Sequence, residues 1–207
     1  MKTDLQIDCL ILAAGNSSRF GSCKLLSDWK GQPLIASSIA AARKLNPART
    51  CVVGGAFYPE LTQILSEFNT KPKRVTDCNI ELLEYRAWDL GIGNSLAFGI
   101  KHLQNANPVV VMLGDQPLVS EQDLQRLHRQ WREQPEKIAC ASFANTLGVP
   151  AIFPAIFKAR LYECRGDRGA KNLLLSCPDQ IVPVAMPSAE FDIDTPVDLK
   201  TYLKKII

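Results

Sequence analysis

Short runs of continuous apolar residues alternate with longer amphipathic stretches along the chain. Val109-Val110-Val111-Met112-Leu113 is apolar at every position, the pattern of a strand covered on both faces. Strands are expected at 7–13, 50–54, 73–77, 108–113, 138–143, 149–153 and 181–185. Helices are expected at 33–45, 58–68, 94–104, 120–134, 154–163, 168–176 and 195–205. Alternation of this kind predicts an α/β, three-layer architecture around a mostly parallel sheet. Residues 76–90 fit neither period, and a loop or short helix is expected there.

Local chemistry marks several boundaries. Pro33, after Gly31, is expected to open the first helix. Ser120 and Asp123 have the spacing of a capping box, with Asp in place of Glu. Thr195 is expected to cap the last helix, with Pro196 in its first turn. No repeat, low-complexity tract or linker divides the chain, so one domain over 1–207 is expected.

Charge narrows the partners. There are 24 Lys and Arg against 21 Asp and Glu, a net charge of +3, and the basic residues are scattered rather than gathered on one face. That argues against nucleic acid. No apolar run reaches membrane-spanning length and no signal peptide is evident, so no membrane association is expected. Seven cysteines without a C-x-x-C pair read as free thiols of a cytoplasmic protein. With His102 and His128 alone, a Cys/His zinc site or a Cys–His nucleophile is disfavoured. Cys23 stands beside Lys24 and is expected to have a somewhat favoured thiolate.

The residues with chemistry fall where apolar runs end, and ligands of open α/β sheets bind beyond the carboxyl ends of strands. After the first run come Leu12-Ala13-Ala14-Gly15, then Arg19, Gly21 and Lys24. Small residues let backbone N–H groups approach a polyphosphate, and Arg and Lys bring cations to it. The spacing is not that of a P-loop, because five residues separate Gly15 from Gly21 and the lysine comes three positions after Gly21. Gly91-Ile92-Gly93-Asn94-Ser95-Leu96 approaches a dinucleotide fingerprint but has Leu96 where the third glycine belongs. That loop could present Gly91, Gly93 and Ser95 to a base or ribose, and Ser95 could equally cap a helix. Asp115, in Gly114-Asp115-Gln116-Pro117, is a natural Mg²⁺ ligand at a strand tip. Of Asp192 and Asp194, expected to point to opposite sides of the chain, Asp194 is the choice for second metal ligand. The turn Arg165 to Lys171 reads equally as a lid whose cations could meet an anionic acceptor and as a solvated loop between helices. Gly148-Val149-Pro150 is expected near the same acceptor.

Together, L-A-A-G-x-x-x-R-F-G-x-x-K-L-L, G-x-G-x-S-L-A-x-G, G-D-Q-P, G-D-R-G-A and D-I-D-T-P-x-D-L resemble the MobA-like nucleotidyltransferases, and within them the molybdenum cofactor cytidylyltransferase branch. The likeness runs from Leu10 to Leu199 with the motifs in order. It implies a Rossmann-like nucleotidyltransferase fold and Mg²⁺-dependent transfer of CMP from CTP to the terminal phosphate of molybdopterin or molybdenum cofactor. Pyrophosphate is released. Guanylyl transfer, another phosphorylated acceptor, or a non-catalytic maturation partner are the alternatives. Nucleotide would be bound by Leu12, Ala13, Ala14, Gly15, Arg19, Lys24, Gly91, Gly93, Ser95 and Asp115. Arg19, Lys24 and Asp115 would be catalytic, and Asp115 and Asp194 would hold the metal. Acceptor would lie against Gln116, Pro117, Asp167 and Arg168, and a xanthine dehydrogenase-like molybdoenzyme would be served. The doublet Ala13-Ala14 favours CTP over GTP. The chain departs from the branch at Val149, where a histidine is usual, at Ile92, where a methionine is usual, and at Lys171, where an arginine is usual.

Overall fold

The computed structural model describes residues 6–70 and 79–206. Its strands are β1 (Asp8–Ala13), β2 (Asp28–Trp29), β3 (Gln32–Pro33), β4 (Thr50–Gly54), β5 (Ile80–Glu84), β6 (Val109–Leu113), β7 (Ile138–Phe143), β8 (Thr146–Phe153) and β9 (Ile181–Ala185). Its helices are α1 (Ile35–Arg43), α2 (Tyr58–Thr70), α3 (Ile92–His102), α4 (Glu121–Glu133), α5 (Lys158–Tyr162), α6 (Lys171–Ser176) and α7 (Pro196–Ile206).

Seven strands form the main sheet in the order β5-β4-β1-β6-β8-β7-β9. β5, β4, β1 and β6 are mutually parallel, and β7 is parallel to β9. β8 runs antiparallel to both its neighbours, β6 and β7. The sheet is therefore mostly parallel, as expected, with one reversed strand produced by the tight β7–β8 connection.

β1 lies at the middle of the parallel half and is buried at all six positions. Its side chains alternate between two cores, as the period of two requires. Cys9, Ile11 and Ala13 join Ile39, Leu61, Leu124 and Trp131 on the α1, α2 and α4 side. Leu10, Leu12 and Ala14 join Leu96, Ile100, Leu161 and Leu173 on the α3, α5 and α6 side. Three layers result: helices, sheet, helices. Every fully covered Leu or Ile contributes roughly 1.5–3 kcal/mol of transfer free energy.

Several boundaries differ from expectation. The strand expected at 73–77 lies outside the described residues. Residues 80–84 form β5, not a loop, because Ile80 and Leu83 face the core while Glu81 and Glu84 stay exposed at the sheet edge. Pro33 sits in the small β2–β3 hairpin and does not open α1. Lys30 and Gly31 turn that hairpin with φ of 57° and 79°, and Asp28 Oδ1 accepts from Gly31 N at 2.7 Å. The helix expected at 154–163 is a 3-10 turn, Ala155–Phe157, followed by α5. The helix expected at 168–176 is likewise split, since Gly169 takes a φ of 49° between the turn Gly166–Arg168 and α6. The capping box at Ser120 and Asp123 forms, with Ser120 Oγ accepting from Asp123 N at 3.2 Å. Thr195 and Asp198 reproduce that reciprocal pattern at the start of α7.

α3 brings its first turn to the tip of β1 by packing unusually close to the sheet. A Cβ added to Gly99 would fall 2.6 Å from Leu10 Cδ1 and 2.9 Å from Val53 Cγ2. Leu10 and Val53 are both fully buried and have nowhere to move. Gly99→Ala should therefore destabilise the protein by about 1–3 kcal/mol, despite alanine's advantage of about 1 kcal/mol in a helix. Chemical denaturation of both proteins measures this as a lower midpoint.

Candidate active site

The segment after β1 is shaped by its own hydrogen bonds. Ser17 takes a φ of 50° and Gly21 a φ of 82°. Ser17 O accepts from Phe20 N and Gly21 N, at 2.8 and 3.1 Å. Ser17 Oγ accepts from Lys24 N at 3.3 Å. Leu25 is buried and pins the far end. The loop thus folds back and turns the Lys24 side chain toward the strand tips. A Cβ on Gly15 would meet nothing within 4 Å, so the space before it is open.

From β6 the chain runs into Gly114, whose N–H donates to Leu12 O at 3.0 Å, and Asp115, whose carbonyl accepts from Ile193 N at 3.0 Å. Ile193 is fully buried beside Trp29 and Leu34. That anchor draws the C-terminal segment alongside Asp115, so three carboxyl groups gather at one place.

Lys24 lies among them. Its Nζ is 2.6 Å from Asp115 Oδ2 and 2.9 Å from Asp194 Oδ1. Burial disfavours the Lys24 charge, but Asp115 and Asp194 outweigh it and hold the ammonium above its ordinary range. Arg19 NH2 reaches Asp194 Oδ2 at 2.9 Å from the rim, with 73% of its side chain exposed. Asp115 Oδ1 is buried and has no hydrogen-bond partner. A divalent ion suits such an oxygen, since a hard cation takes carboxylate oxygens readily. Among the described residues, no group of three or more His, Cys, Asp or Glu could hold a metal by itself. Further ligands from a phosphorylated molecule would complete the shell.

Asp192 departs from expectation. Residues two apart in an extended segment share a face, and Asp192 and Asp194 both act on Asp115's surroundings, with Ile193 turned into the core between them. Asp192 lies exposed at the rim of the second cleft, where partial loss of water, then the charge of Asp115, pushes its carboxyl up to about 6.

Two clefts meet at this point. The first, of about 470 Å³, is lined by Ala13, Ala14, Gly15, Lys24, Trp88 and Asp115, among others. The second, of about 350 Å³, is lined by Gln116, Leu147, Val149, Arg168, Lys171 and Asp192, among others. They share Leu12, Ile92, Leu113 and Asp167.

Of the residues singled out in the sequence, Leu12, Gly91 and Ser95 also line the first cleft. Ser95 lies within α3 and its Oγ donates to Gly91 O at 3.4 Å, so it does not cap that helix. Gly91, with a φ of 100°, is the N-cap. A Cβ there would fall 2.6 Å from Asp167 Oδ1 and from the Gly166 backbone. Gly93 does not line the cleft, because its Cα faces the Arg165 backbone, 2.7 Å from where a Cβ would be. Pro117 is buried and lines neither cleft. Gln116 is also buried, but lines the second while its Nε2 donates to Ala189 O at 2.9 Å. Asn94 Oδ1 accepts from Gly166 N at 2.8 Å and ties the charged turn to α3. Gly148 and Val149 reach the second cleft. Burial raises the Cys23 thiol, contrary to the expected favouring of its thiolate by Lys24. Trp88 escaped notice in the sequence, although an aromatic just ahead of a glycine-rich loop is a legible signal.

Residues 9–181 match the MobA-like NTP transferase domain. The chain belongs to that family. Among curated relatives it is 29% identical over 150 residues to the bifunctional protein GlmU of Nitrosomonas europaea, covering 72% of this chain and 31% of that one. It is 33% identical over 155 residues to GlmU of Xanthomonas campestris pv. campestris, with 72% and 30% covered. The chain thus spans about a third of the length of these relatives. Among solved structures, Rv0371c from Mycobacterium tuberculosis H37Rv superposes with a TM-score of 0.77 at 22% identity, over 97% of this chain and 98% of that one. A nucleotidyl transferase from Methanothermobacter, Mth528, gives 0.76 at 19% identity, over 98% and 99%. The MobA-like fold is therefore that of Rossmann-like nucleotidyltransferases. No helix among the described residues is long and apolar enough to cross a membrane.

Lys24 is the counter-charge for this domain's carboxylate cluster, so removing it leaves negative charge uncompensated in a partly desolvated place. Lys24→Met should lower stability by about 2 kcal/mol, below the usual cost of breaking a fully buried pair because water still reaches the cluster. Asp115→Asn in the same chain should recover part of that loss. Denaturant titration of the single and double variants measures both effects.

Proposed function

We propose that this chain transfers a cytidylyl group from CTP to the terminal phosphate of molybdopterin or molybdenum cofactor, releasing pyrophosphate. The observation that carries the reading is the meeting of two clefts that share Asp167, the first lined by Lys24 and Asp115, with Asp194 bound to Lys24. One cleft suits a nucleotide, with small residues at its wall and a cation and a carboxylate at one end. The other suits a flat anionic acceptor, because Phe143, Leu147 and Val149 offer apolar surface while Arg168 and Lys171 offer positive charge. A hydroxyl-rich sugar would gain less from that wall.

The acceptor phosphate is already anionic near neutral pH, so no general base is required. One of its oxygens attacks the α-phosphorus of CTP in line. The bond from the α-phosphorus to the bridging oxygen breaks, and pyrophosphate leaves with that electron pair. Catalysis is then positioning and charge stabilisation. Lys24 supports the α-phosphate and Arg19 the leaving phosphates. Asp115 and Asp194 would hold a divalent ion, Mg²⁺ in this reading, which when bound neutralises phosphate charge and orients the phosphate oxygens. Two relatives in fold support this. Rv0371c has been solved in complex with manganese, at a TM-score of 0.73 and 22% identity over 96% of this chain and 98% of that one. CMP:2-keto-3-deoxy-manno-octonic acid synthetase has been solved with CTP, at 0.72 and 15% over 97% and 98%. The Ala13-Ala14 doublet favours CTP over GTP. Delivery of the product to a xanthine dehydrogenase-like molybdoenzyme in the cytoplasm completes the reading.

The test is Mg²⁺-dependent pyrophosphate release with CTP and with GTP, each with and without molybdopterin. Release that needs both CTP and molybdopterin is expected. A preference for GTP would overturn the base assignment, and release with another phosphorylated acceptor alone would overturn the acceptor. Asp115→Asn should lower turnover about a hundredfold, the equivalent of about 3 kcal/mol of charge stabilisation.

A further inference from the structure

The strand order β5-β4-β1-β6 gives the first cleft two unlike ends. Asp115 follows β6 on one side of β1, and Trp88 follows β5 on the other. The Asp115 end carries the Lys24 ammonium and an unpartnered carboxylate oxygen, so it takes phosphate and cation. At the opposite end Trp88 is the one aromatic side chain lining the cleft among the described residues. It is half-buried and packs against the core on the α3 side. A Cβ on Gly55 would come within 2.6 Å of Trp88 Cβ and 2.5 Å of Ala14 O, so Gly55 sits between the indole's root and the nucleotide loop with no spare room. The Trp88 carbonyl accepts from Gly91 N at 3.2 Å, which closes the 3-10 turn leading into α3.

We propose that Trp88 is the platform on which the nucleobase stacks. This rests on the nucleotide reading of the first cleft. An indole held in place before a base arrives loses little freedom on binding, and its π-face suits any base. Trp88 therefore contributes affinity for the nucleoside, while the choice between cytosine and guanine lies with other groups. Removing it should weaken nucleotide binding tenfold to a hundredfold.

The fluorescence of the protein makes this directly testable. Trp29 and Trp131 are 4% and 1% exposed, so a change in indole emission on adding nucleotide reports Trp88. CTP with Mg²⁺ should quench the wild type, and Trp88→Phe should abolish that change while recovering most of the affinity that Trp88→Ala loses. By calorimetry, Trp88→Ala should bind CTP at least tenfold more weakly, yet bind inorganic tripolyphosphate within twofold of wild type. Equal weakening of both ligands would make Trp88 a mere support for the loop and overturn the proposal. Undiminished CTP binding by Trp88→Ala would overturn it as well. Should the alanine variant not fold, persistence of the quench in Trp88→Phe would do the same. If the wild type binds tripolyphosphate but no nucleotide more tightly, the nucleotide reading itself fails, and the stacking assignment with it.

Discussion

One ammonium held between two carboxylates is the constraint from which the site follows. Lys24 is the cation held between Asp115 and Asp194, and Asp192 at the rim feels the charge of both carboxylates. Like charges gathered in a partly desolvated place cost free energy unless something positive joins them. In the free protein Lys24 does so, with Arg19 reaching Asp194 from the rim. The arrangement is stable but not saturated, since Asp115 Oδ1 has no partner. A site in that condition has affinity for added positive charge, and a nucleotide brings a divalent ion with it.

The fold is what permits so much charge at one point. β1 and β6 are parallel neighbours covered on both faces, and their carboxyl ends open side by side. The backbone there holds the tips in register through Gly114 N to Leu12 O. Ile193, fully buried, fastens the C-terminal segment to Asp115. The cluster is thus built from three distant parts of the chain, each fixed by core packing rather than by the charges themselves. α3 completes the enclosure by lying close on β1 at Gly99 and presenting Ile92 to both clefts.

Much of this fold is legible in the sequence, and what is not legible has a physical reason. Strands covered on both faces leave unbroken apolar runs, so β1, β4 and β6 stand out. β5 was hidden because an edge strand carries Glu81 and Glu84 toward water and loses that contrast. The hairpin at Asp28–Trp29 and Gln32–Pro33 was hidden because two-residue strands have no period, and Pro33 looked instead like a helix start. Lys24, Asp115 and Asp194, candidates by residue type, are brought together by the fold. Gly93 and Pro117 line neither cleft, because a motif gives spacing without direction. Gly93 faces Arg165 and Pro117 turns inward. The opposed faces expected for Asp192 and Asp194 failed on elementary geometry, as residues two apart in an extended chain point the same way.

The most direct test of the account concerns the place that Lys24 holds between Asp115 and Asp194. Mn²⁺ binding should be followed by electron paramagnetic resonance, for the protein alone, for CTP alone and for both together. Because Lys24 already occupies the space between the carboxylates, the protein alone should bind Mn²⁺ weakly. The two together should bind it at least tenfold more tightly than either does separately. Equally tight binding without nucleotide, or no complex beyond that of Mn²⁺ with free CTP, would contradict the account.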